Sequence, residues 1–404
     1  MSGPTVHAIV RAIGDAAARW SDADFPPRVR IVPAIEARTG YSTPVVEYAL
    51  DRLFSPLHAG GLESVLVEEL GSLDALERFV PRKSGIQERA YPVGRVVIVS
   101  SETTIGVALV PAVYALCAKC SVLVKDREDA LIGAFFETLG DELHALRANA
   151  RAERWTGGAR ASEDLTLRLA DAVVAFGRDE TLDAIRAGLR PGARFAGYGH
   201  RASIGYVARA ALGDEARARA AARGAARDLV LYDGEGCMSL HALFVERGGE
   251  VEPERFGAIL IDEIEAAAVE FPIGRVDPRI STYLAGVAFR AALGSRGPRV
   301  FRTPAGDATL VLDPPQHAAP PFLPRVLPLY AIEGPAECEE YVRSHGLPLE
   351  AFGTAVVDDA MRTLGAALGA VRIAPLGVLQ APSPSLPHGG RTRVSEFVRW
   401  VASE

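Results

Sequence analysis

From residue 93 onward, short apolar runs alternate with segments of helical length, and this alternation restricts the fold more than any other feature of the chain. Residues 95–99 predict a buried strand, 105–117 a helix, 121–125 a second strand and 130–148 a second helix. The succession repeats with 171–176 as strand, 179–188 as helix and 194–197 as strand. Parallel neighbours need a long crossover, so strands spaced by helices predict a parallel sheet covered on both faces. In such sheets ligands bind at the carboxyl ends of the strands.

The remainder divides around this core. Residues 1–90 mix amphipathic helical patterns with loops, and 207–229 predict one long helix, broken at Gly213 and Asp214 and softened at Gly224. A second α/β stretch follows, with strands at 242–246, 299–302, 308–312 and 325–332, helices at 253–270 and 281–293, and a proline-rich loop at 313–324. The reading is therefore α/β with two domains, 1–228 and 229–375, and a C-terminal segment, 376–404.

Composition excludes several classes of function. A net charge of −7 over 404 residues argues against affinity built on phosphate neutralisation, so no nucleic-acid partner is expected. No apolar run approaches the roughly 20 residues of a membrane span, and the N-terminus lacks the charged, apolar and small-residue succession of a signal peptide. The expected compartment is the cytoplasm. Four cysteines in so long a chain do not make a disulfide framework, and a reducing compartment suits a reactive thiolate.

One of those cysteines stands apart. Cys237 lies in the run Tyr232-Asp233-Gly234-Glu235-Gly236-Cys237-Met238-Ser239, between an Ala/Arg-rich helical stretch and an apolar strand. Small residues at such a junction let a nucleophile and a substrate approach closely. Cys117 and Cys338 sit in apolar surroundings that read as structural. Cys117 and Cys120 form a single C-x-x-C pair, which cannot complete a four-ligand zinc site, and no metal is expected.

Other candidates cluster at strand ends. Ser100, Ser101, Thr103 and Thr104 follow the first strand, where hydroxyls either cap the next helix or hold an anion or a carbonyl oxygen. Lys125 closes the second strand, where it either reaches a nucleotide's ribose or phosphate or stands as a solvated cation. Residues 197–200, Gly-Tyr-Gly-His, fail the dinucleotide fingerprint, since the third glycine, the helix and the later acid are missing. His200 and His241 are the histidines nearest Cys237 in sequence, either able to move a proton or to serve structure alone.

Taken together, four segments resemble the aldehyde dehydrogenase superfamily, and within it the acyl-CoA reductases of the bacterial bioluminescence (LuxC-like) type. They are 171–181, 197–203, 236–239 and the C-terminal set 375–380, 387–391 and 397–400. The resemblance implies a nicotinamide cofactor domain in 1–228, a catalytic cysteine domain in 229–375, and an oligomerisation role for 376–404, hence a homo-oligomer. It implies Cys237 as nucleophile, Lys125 at the adenosine ribose, and Gly177 and Thr181 near the pyrophosphate, with Ser100 and Ser101 also at the cofactor. NADPH is the expected cofactor from family habit, with Lys125 and Arg127 available to a 2′-phosphate and NADH as the alternative.

Two departures from the family pattern shape the expected chemistry. The glutamate that activates water in hydrolytic members is replaced by Gly197 or Tyr198, which suits an enzyme passing acyl groups to or from a thiol carrier, acyl-CoA or acyl carrier protein. The usual oxyanion asparagine is replaced by Thr103, which with the Cys237 amide would hold the oxyanion, and His200 would deliver a proton. The expected reaction is reduction of an acyl thioester to an aldehyde through a Cys237 acyl-enzyme. Its rivals are a cofactor-free cysteine acyltransferase or thioesterase, and a non-catalytic acyl-binding member of the family.

Overall fold

The computed structural model describes residues 3–81, 85–128, 130–155, 165–293, 297–315 and 322–404. The chain forms two compact units, one of residues 1–39, 46–200 and 383–404, the other of 40–45 and 201–382. Among the described residues no helix is long and apolar enough to cross a membrane.

The first unit is built on a five-stranded parallel sheet. Its spatial order is Ala150–Glu153, Ser121–Lys125, Arg95–Val99, Ala172–Phe176 and Arg194–Tyr198. The chain enters at the central strand, Arg95–Val99, winds outward to one edge, and returns to its other side at Ala172–Phe176. The winding reverses between these two neighbours, and a crevice at such a reversal is where doubly wound sheets hold ligands. Central strands buried on both faces read as unbroken apolar runs, and all five residues of Ala172–Phe176 are buried.

Helices cover this sheet. Val6–Ser21 starts at Thr5, whose hydroxyl accepts the Ala8 amide, and buries Ile9, Ile13, Ala16 and Trp20 along one stripe. Trp20 packs 5.1 Å from the Phe54 ring and donates its indole N–H to Thr138 at 3.1 Å. The C-terminal residues complete the unit. Val398–Ser403 pairs antiparallel with Gln87–Pro92, which also pairs with Val80–Pro81. The Arg194 guanidinium donates to the carbonyls of Ser395, Glu396 and Val398, and the Glu69 carboxylate accepts the amides of Arg393, Val394 and Ser395.

The second unit holds a seven-stranded sheet in the order Arg299–Arg302, Thr309–Asp313, Val326–Ile332, Leu240–Glu246, Ala202–Val207, Leu349–Thr354 and Arg372–Pro375. All neighbours are parallel except the first pair. Tyr206, Phe244, Tyr330, Tyr341 and Phe352 form the centre of a core on one face. Helices Glu215–Val230 and Pro253–Glu270 pack on each other, and Pro335–His345 and Asp359–Ala367 follow later in the chain.

Several boundaries differ from the sequence reading. The expected helix over 207–229 is a strand, Ala202–Val207, a short 3-10 turn, Arg209–Leu212, and a helix, Glu215–Val230. The break expected at Gly213 and Asp214 is present, since Gly213 ends the 3-10 turn and the Asp214 side chain accepts the Arg217 amide at the start of the helix. Gly224 is a packing residue, since a Cβ there would lie 2.6 Å from the Leu376 carbonyl oxygen. The strand and this helix belong to the second unit, so the chain divides after His200 rather than at 228. The segment 376–404 divides as well, 376–382 with the second unit and 383–404 with the first. Residues 316–321 of the proline-rich loop lie outside the described residues.

Candidate active site

At the winding reversal of the first unit, the loop after Arg95–Val99 runs irregularly from Ser100 to Ala108 before the helix Leu109–Cys117. The helix therefore starts later than the expected residue 105, and the hydroxyls of Thr103 and Thr104 do not cap it. The fully buried Glu128 instead holds the turn just before the helix, its carboxylate accepting the amides of Gly106 and Ala108. Burial pushes the Glu128 carboxyl up to about 8, against the pull of those amides.

The hydroxyl residues of this loop have distinct positions. Ser100 is fully buried, its hydroxyl donating to the Lys125 carbonyl at 3.0 Å and accepting the Arg127 amide at 2.8 Å. That hydroxyl ties two strand ends together, which corrects the expectation of a cofactor contact from this side chain. Ser101 accepts the Thr103 amide at 3.2 Å and lies 3.0 Å from the Thr103 hydroxyl, and Thr103 itself is exposed.

Lys125 is buried with its ammonium 5.2 Å from the centre of the Trp155 ring, which overturns the solvated-cation reading. The Trp155 indole N–H is buried and has no hydrogen-bond partner among the described residues. A buried donor without an acceptor is costly and marks a place where a ligand oxygen fits. Gly177 follows Ala172–Phe176, and helix Asp179–Ala187 begins two residues later, with Thr181 in its first turn and the exposed Arg178 at its N-cap. The positive end of the helix, the Thr181 hydroxyl and an adjacent guanidinium favour an anion, whereas the Gly177 and Thr181 amides already donate to the carbonyls of Tyr198 and Arg178 and the Asp179 and Glu180 carboxylates in the same turn oppose it. A ribose at Lys125 and Trp155 with a diphosphate at Gly177 and Arg178 is the group this donor set fits.

Tyr198, where the family glutamate was expected to be missing, packs with Phe176 at 4.9 Å and with His388 at 4.5 Å, those two rings being 5.8 Å from each other. No carboxylate occupies Gly197 or Tyr198. His200 is exposed and is the last residue of the first unit before the chain enters the second.

Cys237 belongs to the second unit, on the loop joining Glu215–Val230 to Leu240–Glu246. The loop begins with Tyr232 and Asp233 at φ of 56° and 51°, a left-handed conformation uncommon outside glycine that must be held by its surroundings. Asp233 is held by the fully buried Arg325 at 2.7 Å, and its other oxygen accepts the Gly274 amide. Downstream, the Ser239 hydroxyl accepts the Gly236 amide at 3.0 Å and a hydrogen bond from the Gln380 side chain. The buried Asp228 accepts the amides of Gly377 and Leu379 at 2.6 and 3.0 Å, which fixes the turn that carries Gln380.

Cys237 itself is tied down by Ser203. The Ser203 hydroxyl donates to the Cys237 carbonyl at 2.7 Å and accepts the Ala351 amide at 3.1 Å. The Ser203 amide donates to Nδ1 of His241, a buried histidine 4.5 Å from the Phe322 ring, so His241 supports the strand. Cys237 is exposed, whereas Cys117, Cys120 and Cys338 are buried. Desolvation by the surrounding protein pushes its thiol up to about 11, and the Glu350 carboxylate raises it further. The amides of Met238 and of Cys237 itself act in the opposite direction.

Glu350, Arg201, Ser203, Asp228 and Arg372 surround or support this loop, and sequence reasoning assigned none of them a role. Arg201 lies 3.6 Å from Glu350, and the Arg372 guanidinium donates to the carbonyls of Val378 and Leu379. Ser203 and Gln380 fall inside segments that carried the family resemblance. Glu350 and Arg372 had no such signal.

The model of one protein family, acyl-CoA reductase (LuxC), matches residues 1–400. No curated protein matches the chain. Among solved structures, an oxidoreductase from Marinobacter aquaeolei superposes with a TM-score of 0.74 at 16% identity, covering 100% of this chain and 86% of the other. A mutant of aldehyde dehydrogenase C from Pseudomonas syringae, in complex with NAD+ and octanal, superposes with a TM-score of 0.72 at 13% identity, covering 99% and 85%. An NAD-dependent benzaldehyde dehydrogenase from Corynebacterium glutamicum gives 0.69 at 12% identity over 98% and 85%. At these identities the likeness establishes a shared aldehyde dehydrogenase-like fold.

Proposed function

Because the chain belongs to the acyl-CoA reductase (LuxC) family and is an aldehyde-forming oxidoreductase, we propose that it reduces an acyl thioester through an acyl-enzyme on Cys237, with NADPH as reductant. The observation that carries the assignment to Cys237 is its exposed position on a loop held at both ends. The thiolate attacks the thioester carbonyl, coenzyme A or a carrier-protein thiol departs, and the acyl group stays on sulfur. A reduced nicotinamide, when bound, would supply the hydride that this acyl carbon accepts. The thiohemiacetal then collapses to the aldehyde and frees the cysteine.

The chain's own groups divide the remaining work. The Cys237 amide and the Thr103 hydroxyl hold the oxyanion, and His200 supplies a proton. Lys125 and Trp155 hold the ribose, and Gly177 and Thr181 receive the diphosphate at the helix start. Arg127 is paired with Glu102, and in this reading it turns to a 2′-phosphate, giving NADPH its preference over NADH. Gly197 and Tyr198 themselves offer no carboxylate to activate water, and the Asp179 carboxylate that lies against Gly199 comes from the first turn of the helix Asp179–Ala187, so the acyl-enzyme lacks the water-activating glutamate of the hydrolytic pattern. Val398–Ser403, paired on one edge only among the described residues, is the element proposed to pair subunits in a homo-oligomer, to be checked by light-scattering mass.

The test is NADPH oxidation against a panel of acyl-CoA and acyl-carrier thioesters, with intact-mass detection of the acyl-enzyme. Full thioester-dependent oxidation in the Cys237→Ala variant would end this reading.

A further inference from the structure

We propose that Glu350 is the proton-transfer partner of the Cys237 thiol, brought to it from the strand Leu349–Thr354 by the bridging hydroxyl of Ser203. The inference rests on Cys237 being the nucleophile and adds the base that the family pattern lacks at Gly197 and Tyr198.

The geometry begins with one hydroxyl. Ser203 binds the Cys237 carbonyl on one side and the amide following Glu350 on the other, so the two peptide groups stand within two hydrogen-bond lengths of each other. In the parallel pairing of Ala202–Val207 with Leu349–Thr354, Ala202 faces Leu349 and Ser203 faces Ala351, so Glu350 is the extra residue of a β-bulge beside Ser203. Glu350 is largely buried, with its side chain 12% exposed, and its charge reaches the Cys237 sulfur. Arg201 is its cationic neighbour at 3.6 Å and also donates to the Leu349 carbonyl.

Other groups of this unit are less suited. His241 uses Nδ1 to accept the Ser203 amide and is buried against Phe322. Asp228 is occupied by two backbone amides, and Arg372 by backbone carbonyls. The charged groups bearing on Cys237 and Glu350, besides each other, are therefore Arg201 and Arg372. Burial raises the Glu350 carboxyl above its usual range while Arg201 and Arg372 draw it back. A base of raised pKa is better matched to a thiol than an ordinary surface carboxylate.

The step balances without a redox change. As the bond from Cys237 Sγ to the acyl carbon forms, the Sγ–H bond breaks and the proton passes to the Glu350 carboxylate. The bond between the acyl carbon and the carrier sulfur then breaks, and Glu350 returns the proton to the departing thiolate. Glu350 ends as it began.

The test compares Glu350→Gln, Glu350→Asp and Cys237→Ala in the full chain. Single-turnover acylation is followed by intact mass with an acyl-CoA, and iodoacetamide alkylation of Cys237 is followed against pH. Loss of a general acid–base group predicts acylation about 10²- to 10⁴-fold slower in Glu350→Gln, with partial recovery in Glu350→Asp. Removing the negative charge lowers the thiol pKa, so alkylation of the same variant becomes faster near neutral pH. Opposite movement of the two rates is the signature. Acylation within about threefold of the parent, or both rates falling together, overturns the proposal. An acyl-enzyme that survives Cys237→Ala overturns the underlying nucleophile assignment instead.

Discussion

The fully buried Arg325 guanidinium holds Asp233 at 2.7 Å, and Asp233 is the left-handed residue four positions before Cys237. The ion pair thus fixes the start of the loop that carries Cys237. Its other contacts, to the carbonyls of Val230 and Phe271, join the loop to the ends of two helices.

Arg325→Met removes one partner and leaves the Asp233 charge buried. Breaking such a pair typically costs about 3–5 kcal/mol, so urea denaturation should report a loss of that order, and acyl-enzyme formation should slow with it. Unchanged stability would mean that the loop is held elsewhere.

Thr103→Val deletes the proposed side-chain oxyanion donor and keeps the shape. Loss of one such donor predicts a fall of about 10²- to 10³-fold in kcat, with little change in KM. Thioester-dependent NADPH oxidation measures it, and a kcat equal to the parent's assigns the oxyanion to main-chain donors alone.

Lys125→Met and Trp155→Phe probe the ribose end. Each removes a buried donor, and loss of a charged donor, worth about 1.5–3 kcal/mol, predicts roughly 10- to 100-fold weaker nucleotide binding for Lys125→Met. The neutral indole donor predicts a smaller loss. Fluorescence titration with NADPH and NADH reads both, and Arg127→Ala should weaken NADPH more than NADH.

Asp228 gives stability a pH dependence of known sign. Its carboxyl is pushed up from 3.8 to about 7 by burial, so the folded state prefers it protonated. Its contribution is fully present below the unfolded value and is lost as pH rises through the folded one, by at most about 1.4 kcal/mol per pH unit. Denaturation midpoints should fall between pH 4 and 7, and Asp228→Asn should flatten that slope at some cost in absolute stability.

The first sheet was legible because its central strands are unbroken apolar runs, as in Ala172–Phe176, and each is punctuated by a helix of ordinary length. Ala202–Val207 escaped the same test although all six residues are buried. It carries Ser203 and Gly205 where an apolar run would carry larger side chains, and a Cβ at Gly205 would meet Leu243 at 2.6 Å. Close packing against neighbouring strands selected the small residues and erased the local signal. Cys237 was legible from its glycine-flanked loop. Glu350 was not, because only strand pairing through Ser203 brings it near, and nothing local records which strands will pair.

The first unit is interrupted after His200 and resumes at Ser383, once the whole of the second unit has been synthesised. On the ribosome the order of completion is thereby inverted. Residues 201–382 can close their sheet while the earlier-made unit still lacks Val398–Ser403 and the carbonyls that hold Arg194. The unit that begins first is finished last, and until then its Gln87–Pro92 strand is an open edge that a chaperone or a neighbouring chain could occupy.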